Sequence, residues 1–138
     1  TKEGPKIIEI APRLSGGYFS SDQIPLATGI NVIEIAIRLS LGEKINKDKL
    51  LFRHQNAVAI RYFFPKPGKI ISISNIDSFK NKSWVHKLNL FFGVGDVLEK
   101  ITDHPKRCGF VITTGNTRDE AVERAKTVVK NVQILTRQ

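Results

Sequence analysis

A single cysteine, Cys108, stands among the 138 residues, so no internal disulfide can form and a reducing compartment is implied. No base stands ready to activate it, and its expected role is that of a small buried apolar side chain. No apolar run is long enough to span a membrane, and no charged-then-apolar signal segment opens the sequence. A cytoplasmic protein is the expectation from these absences. His54, His86 and His104 lie far apart and share no zinc-type spacing with Cys108. Acidic residues are also few, 13 against 22 Lys plus Arg, and the formal charge of +9 permits polyanionic partners. The basic residues are scattered, however. Even the densest stretch (Lys44, Lys47, Lys49, Arg53) forms no unbroken tract or one-faced stripe. A nucleic-acid partner is therefore disfavoured, and a solvated basic surface is expected.

What is present is enough apolar material, 41%, for a chain of this length to bury its own core without disulfides or a structural metal. Lys6 to Ile10 reads as a buried strand that Pro12 ends. A loop from Arg13 to Ser21 follows. Asp22 is placed to cap a short helix that tolerates Pro25 and stops at Gly29. Asn31 to Leu41 alternates like a strand, but Asn31 and Glu34 have capping-box spacing and Glu34 and Arg38 are one turn apart. A second helix is the reading. The polar stretch Glu43 to Asp48 marks a subdomain boundary, giving units 1–45 and 46–138. Ala57 to Phe64 reads as a strand, and the "PKPG" turn at residues 65–68 suggests that Ile70 to Ser74 returns beside it as a hairpin. Strands at Trp84–Phe91, Val97–Ile101 and Gly109–Thr113 follow, then an amphipathic helix opened by the Thr117/Glu120 capping box. Val132 to Leu135 closes as a short strand. The fold class is thus α+β: a strand, a loop and two helices, then a small, mostly antiparallel β subdomain with one packed C-terminal helix.

One constellation carries chemistry. Glu9 sits on an otherwise apolar strand, where a carboxylate calls for an arginine or a divalent cation as partner. Arg13 offers a planar fork for phosphate or carboxylate, and Gly16-Gly17 let backbone N–H groups approach an anion. The competing reading is an Arg13–Glu9 ion pair beside an ordinary turn. "GVG" at residues 93–95 lacks the rest of a dinucleotide or P-loop fingerprint and reads as a turn. Tyr62, Phe63, Phe64, Trp84, Phe91 and Phe92 read as core rather than as a nucleic-acid stacking platform.

The stretch "IIEIAPRLSGGYFSSDQIPLATGINVIEIAIRLSLGE" resembles the end of the ATP-grasp fold. The resemblance is to the branch that includes L-amino acid ligases and carbamoyl-phosphate-synthase-like enzymes. "AIRYFFPKPGKI", "GVGDVL" and "RCGFVITTGNTRDEAVERA" are similar, in the same order, to the C-terminal subdomain that follows it. The resemblance implies residues 1–45 as the end of an ATP-grasp domain and 46–138 as the α+β subdomain. It implies a ligase that uses ATP and Mg²⁺ to join a carboxylate to an amine or ammonia through an acyl phosphate. Glu9 would be the metal ligand, and Arg13 the catalytic clamp on phosphate or substrate. Ser15, Gly16 and Gly17 would line the substrate side. Ala11 stands where the family's strand carries a metal-binding asparagine. The glycine-rich flap and nucleotide lysines of the upstream ATP-grasp portion are not in this sequence, so that portion is implied as a partner in cis or trans, and the chain alone is expected to be inactive. The alternative is a non-enzymatic, basic polyanion-binding or assembly module. An unpaired N-terminal strand would then favour a homodimer.

Overall fold

Local signals in the chain set two helices outright. The Asn31 side chain accepts from the Glu34 N–H (3.0 Å) and opens α2, Val32–Ser40, along which Arg38 donates to Glu34 at 2.8 Å. Thr117 accepts from the Glu120 N–H (3.2 Å) and opens α4, Arg118–Asn131. The Glu120 carboxylate reaches back to the Asn116 N–H (2.6 Å), one residue beyond the reciprocal partner of an ideal capping box. The computed structural model describes residues 2–137. Its other elements are α1 (Ile24–Thr28), α3 (Asp77–Lys80), a π-type turn (Phe19–Gln23), a short 3-10 turn (Lys47–Leu50) and six strands. The strands are β1 Ala57–Tyr62, β2 Gly68–Ser74, β3 Val85–Leu90, β4 Val97–Leu98, β5 Gly109–Gly115 and β6 Gln133–Arg137.

The strands form two antiparallel three-stranded sheets, ordered β1-β5-β3 and β4-β2-β6. β1 and β2 therefore do not make the hairpin that the "PKPG" turn suggests. The turn reverses the chain, but β1 pairs with β5 and β2 with β4 and β6. Strand choice is decided by burial. Fully buried Val111 on β5 packs on Ala121, Ala125 and Val128 of α4, and Ile70 of β2 and Leu98 of β4 join the same cluster from the other sheet. Thr113 donates its hydroxyl to the Ala121 carbonyl at 2.7 Å, which satisfies a polar group that would be costly to bury unpaired. Cys108 lies fully buried in this core, and burial pushes its thiol up, away from nucleophilic character.

Alternation along β5 sends Phe110 and Ile112 to the opposite face of the first sheet. A register shift between Val85 and Lys87 turns the Lys87 side of β3 toward that same face. This second face is covered by the N-terminal third of the chain. Phe19–Gln23 form a wide π-type turn that runs into α1, and α1 ends at Gly29, whose φ of 76° suits the left-handed helix-stop conformation. A side chain at Gly29 would place its Cβ 2.9 Å from the Arg53 Cβ. The Arg53 and Asn56 N–H groups donate to the Thr28 and Ala27 carbonyls (2.9 and 3.0 Å) and fasten α1 beside the entry to β1.

Lys6 to Ile10 departs from the expected buried strand. Ile7, Ile8 and Ile10 are 81%, 100% and 75% exposed, and the segment joins neither sheet. A strand is held by its neighbours' hydrogen bonds and packing, and neither sheet supplies these to Lys6–Ile10. Among the described residues no helix is long and apolar enough to cross a membrane.

Candidate functional site

The Ser15–Tyr18 turn is the best-anchored part of the expected site. The Ser15 N–H donates to Ser20 Oγ (2.9 Å), and the Phe19 N–H to the Gly16 carbonyl (3.3 Å). Gly17 and Tyr18 both adopt the left-handed region, with φ of 64° and 67°. For tyrosine this conformation costs on the order of 1 kcal/mol. The offset is visible: the Tyr18 ring stacks on buried Phe110 with centroids 4.0 Å apart, and Tyr62 and Phe91 flank Phe110 at 6.4 and 5.8 Å. The Tyr62 hydroxyl also reaches the Gly17 carbonyl at 3.5 Å.

One turn later, Asp22 is buried rather than capping α1, whose first residues have no side-chain cap. Its carboxylate accepts from Lys87 on β3 and from the Ser21 hydroxyl, both at 2.5 Å, with His86 Nε2 at 3.5 Å. Desolvation acts to raise the Asp22 pKa, but the Lys87 and Ser21 hydrogen bonds and the charges of Lys87 and His86 outweigh it and hold it below 3.8. A folded-state pKa below the unfolded value means stability that is present above the ordinary carboxylate range and lost as pH falls through the lowered value. Lys87→Met is expected to cost about 1–2 kcal/mol at pH 7, discounted because Lys87 is half-exposed, and to move the acid-unfolding midpoint to higher pH. Urea melts of both proteins at pH 3 to 7 read this directly. Parallel pH curves would refute the coupling.

The remaining residues expected at the site lie on the approach to this turn. Glu9 and Arg13 are exposed. Among the described residues the two form no ion pair; Arg13 instead donates Nη1 to the Leu14 carbonyl at 3.3 Å. The structure thus brings Ser15, Gly16 and Gly17 into one pinned turn and leaves Glu9 and Arg13 directed outside the two sheets. Glu9 alone does not make a magnesium site. Among the described residues no group of three His, Cys, Asp or Glu side chains is arranged to hold a metal ion. The residues present therefore fit at most one ligand's share of such a site.

Sequence reasoning missed Tyr18, Lys87, Arg107 and Phe110 as neighbours of this turn. The Arg107 guanidinium stacks over the Tyr62 ring at 3.9 Å. With Gly17, Tyr18, Tyr62, Phe91, His104 and Pro105 it lines a cavity of about 390 Å³. The one signal available was the aromatic residue that directly follows the Gly-Gly pair.

Residues 61–137 match the family described as L-amino acid ligase C-terminal domain 2. The chain is 28% identical over 121 residues to an uncharacterized protein, y4rH, of Sinorhizobium fredii (strain NBRC 101917 / NGR234), spanning 88% of this chain and 25% of that protein. The fold superposes on a crystal structure of L-amino acid ligase from Bacillus licheniformis with a TM-score of 0.77 at 16% identity. That match covers 95% of this chain and 34% of the ligase. Phosphoribosylglycinamide synthetase from Anaerococcus prevotii matches with a TM-score of 0.66 at 17% identity, over 83% of this chain and 29% of the synthetase. The chain therefore spans about a quarter to a third of the proteins it resembles.

Proposed function

The chain belongs to the L-amino acid ligase C-terminal domain 2 family and corresponds to the C-terminal part of an ATP-grasp ligase; from that premise we propose that it serves a carboxylate–amine ligase and is not active by itself. In the proposed complete enzyme, ATP and Mg²⁺ activate a carboxylate as an acyl phosphate, which an amine or ammonia then attacks, as in carbamoyl-phosphate-synthase-like enzymes. Within this chain, Glu9 contributes one carboxylate to the cation, Arg13 holds phosphate or substrate with its planar fork, and Ser15, Gly16 and Gly17 line the substrate side. Residues 1–45 act as the end of the ATP-grasp domain and 46–138 as the subdomain that carries it. An upstream ATP-grasp portion, in cis or in trans, supplies the nucleotide site, and the reaction is cytoplasmic.

The observation that supports this reading most is the contrast along residues 9–18. The Ser15–Tyr18 turn is clamped to the sheet by Phe110 and Tyr62, while Glu9 and Arg13 stand exposed and unpaired with each other. A pinned turn preceded by an exposed carboxylate and an exposed guanidinium that do not pair with each other is suited to completing a site built mostly elsewhere. Phosphoryl transfer rests on several groups positioned at once, and two are not sufficient. Titration calorimetry of this chain with Mg·ATP is therefore expected to show no saturable binding in the micromolar range. Sub-micromolar binding would require a full nucleotide site within these residues and would end the proposal.

A further inference from the structure

Arg107 is one of several cationic groups that, among the described residues, pair with no carboxylate, and it is set apart by lining a cavity. Arg107 is half-buried, and its guanidinium carbon lies over the Tyr62 ring, 3.9 Å from the ring centre, a cation–π contact distinct from the hydrogen bonds its N–H edge can make. Among the described residues no carboxylate lies within ion-pairing distance of that edge, and no carbonyl or hydroxyl accepts a hydrogen bond from it. Its backbone N–H is satisfied by the His104 carbonyl at 3.2 Å, so the loop that carries it is held in place. Arg107 opens onto the 390 Å³ cavity, within the size range of small-molecule sites. The cavity walls are the Tyr18, Tyr62 and Phe91 rings, with Pro105 and the Gly17 backbone.

We infer that this cavity is a binding site for a small monocarboxylate with an uncharged, apolar body. The carboxylate takes the free edge of Arg107 as a fork, and the body lies among Tyr18, Phe91 and Pro105. The absence of an acidic residue from the lining sets the ligand class, because an ammonium group beside the carboxylate would find no counter-charge. Of the nearby acids, Asp22 is neutralised by Lys87, and the Asp103 carboxylate accepts from the Thr102 hydroxyl and the Lys106 N–H. A free amino acid is therefore a poorer ligand than an acid whose nitrogen is acylated or missing. The cavity shares Gly17 with the substrate side of the proposed ligase site, but its binding groups all come from this chain and need no nucleotide.

The test uses phenylacetate as probe and phenylacetamide as its neutral twin, titrated into ¹⁵N-labelled chain while amide and arginine side-chain NMR signals are followed. Phenylacetate is expected to saturate and to shift the Gly17 and Phe91 amides and the Arg107 Nε–H, binding about tenfold more tightly than phenylacetamide. Arg107→Gln is expected to abolish that tenfold preference, and Arg107→Lys, which keeps the charge but not the fork, to retain only part of it. Equal affinity for the acid and the amide in the unaltered chain overturns the proposal without recourse to any variant. So does acid binding that leaves the Arg107 Nε–H unmoved.

Discussion

Phe110→Ala is expected to destabilise the chain by about 3–5 kcal/mol, among the largest losses any single substitution here can cause. The ring is 1% exposed and sits where four aromatic groups converge, against Tyr18, Tyr62 and Phe91. Truncation removes its buried area and leaves a cavity beneath a turn that depends on it. Tyr18 holds a left-handed backbone with Phe110 as its main stacking partner, so the loss should spread to the Ser15–Asp22 segment. Denaturant unfolding measures the first effect, and hydrogen exchange of the residue 15–22 amides the second. A cost below about 1 kcal/mol with unchanged exchange would show that the turn is held by other means, with the Asp22–Lys87 bridge as the first alternative.

Gly109→Ala is the second expected large effect, from crowding rather than a void. A Cβ at residue 109 would stand 2.4 Å from the Asn89 backbone oxygen, 2.7 Å from Leu90 Cδ2 and 2.9 Å from Leu90 Cα. Two of these three are backbone positions of β3, so no rotamer change can make room. Relief requires β3 to move away from β5 at the Leu90↔Gly109 register point. A loss of about 3 kcal/mol is expected, at the upper end for overpacking. Thermal unfolding checks it, with Gly93→Ala as the control: a Cβ there would meet no heavy atom closer than 3.9 Å. Matching melting temperatures for Gly109→Ala and the unaltered chain would mean that the β3–β5 contact is looser than drawn.

Much of the architecture was legible because local chemistry fixed it. The Asn31/Glu34 and Thr117/Glu120 spacings placed α2 and α4 to within a residue or two, since each cap is a contact between residues three apart. The Gly93–Gly95 segment reads as a turn and is one, with the Asp96 carboxylate accepting from the Gly93 N–H at 2.7 Å. Strand partners were not legible. "PKPG" announces a reversal but carries no information about which sheet the next strand enters, and burial against α4 made that choice. Asp22 was misassigned for a related reason. Its position before a helix suggested a cap, whereas Lys87, 65 residues away, drew it inward. In the candidate site, the Ser15–Gly17 turn was legible as a turn because its residues are contiguous. Phe110 and Arg107 were not legible beside it, since nothing local joins residues some 90 positions apart; Tyr18 was signalled only by its place after the Gly-Gly pair.

The strand order has a consequence for synthesis. β5 lies between β1 and β3, yet both flanking strands emerge from the ribosome before it does. Until residues 109–115 are made, β1 and β3 have no partner in common and the N-terminal turn has no Phe110 to close on. At translation rates of roughly 5–20 residues per second, β1 waits several seconds with its edges open. The first sheet therefore cannot close strand by strand as the chain emerges: it waits for residues 109–115. During that interval a holdase chaperone, rather than early native pairing, is what would keep the nascent β1 and β3 from finding strangers.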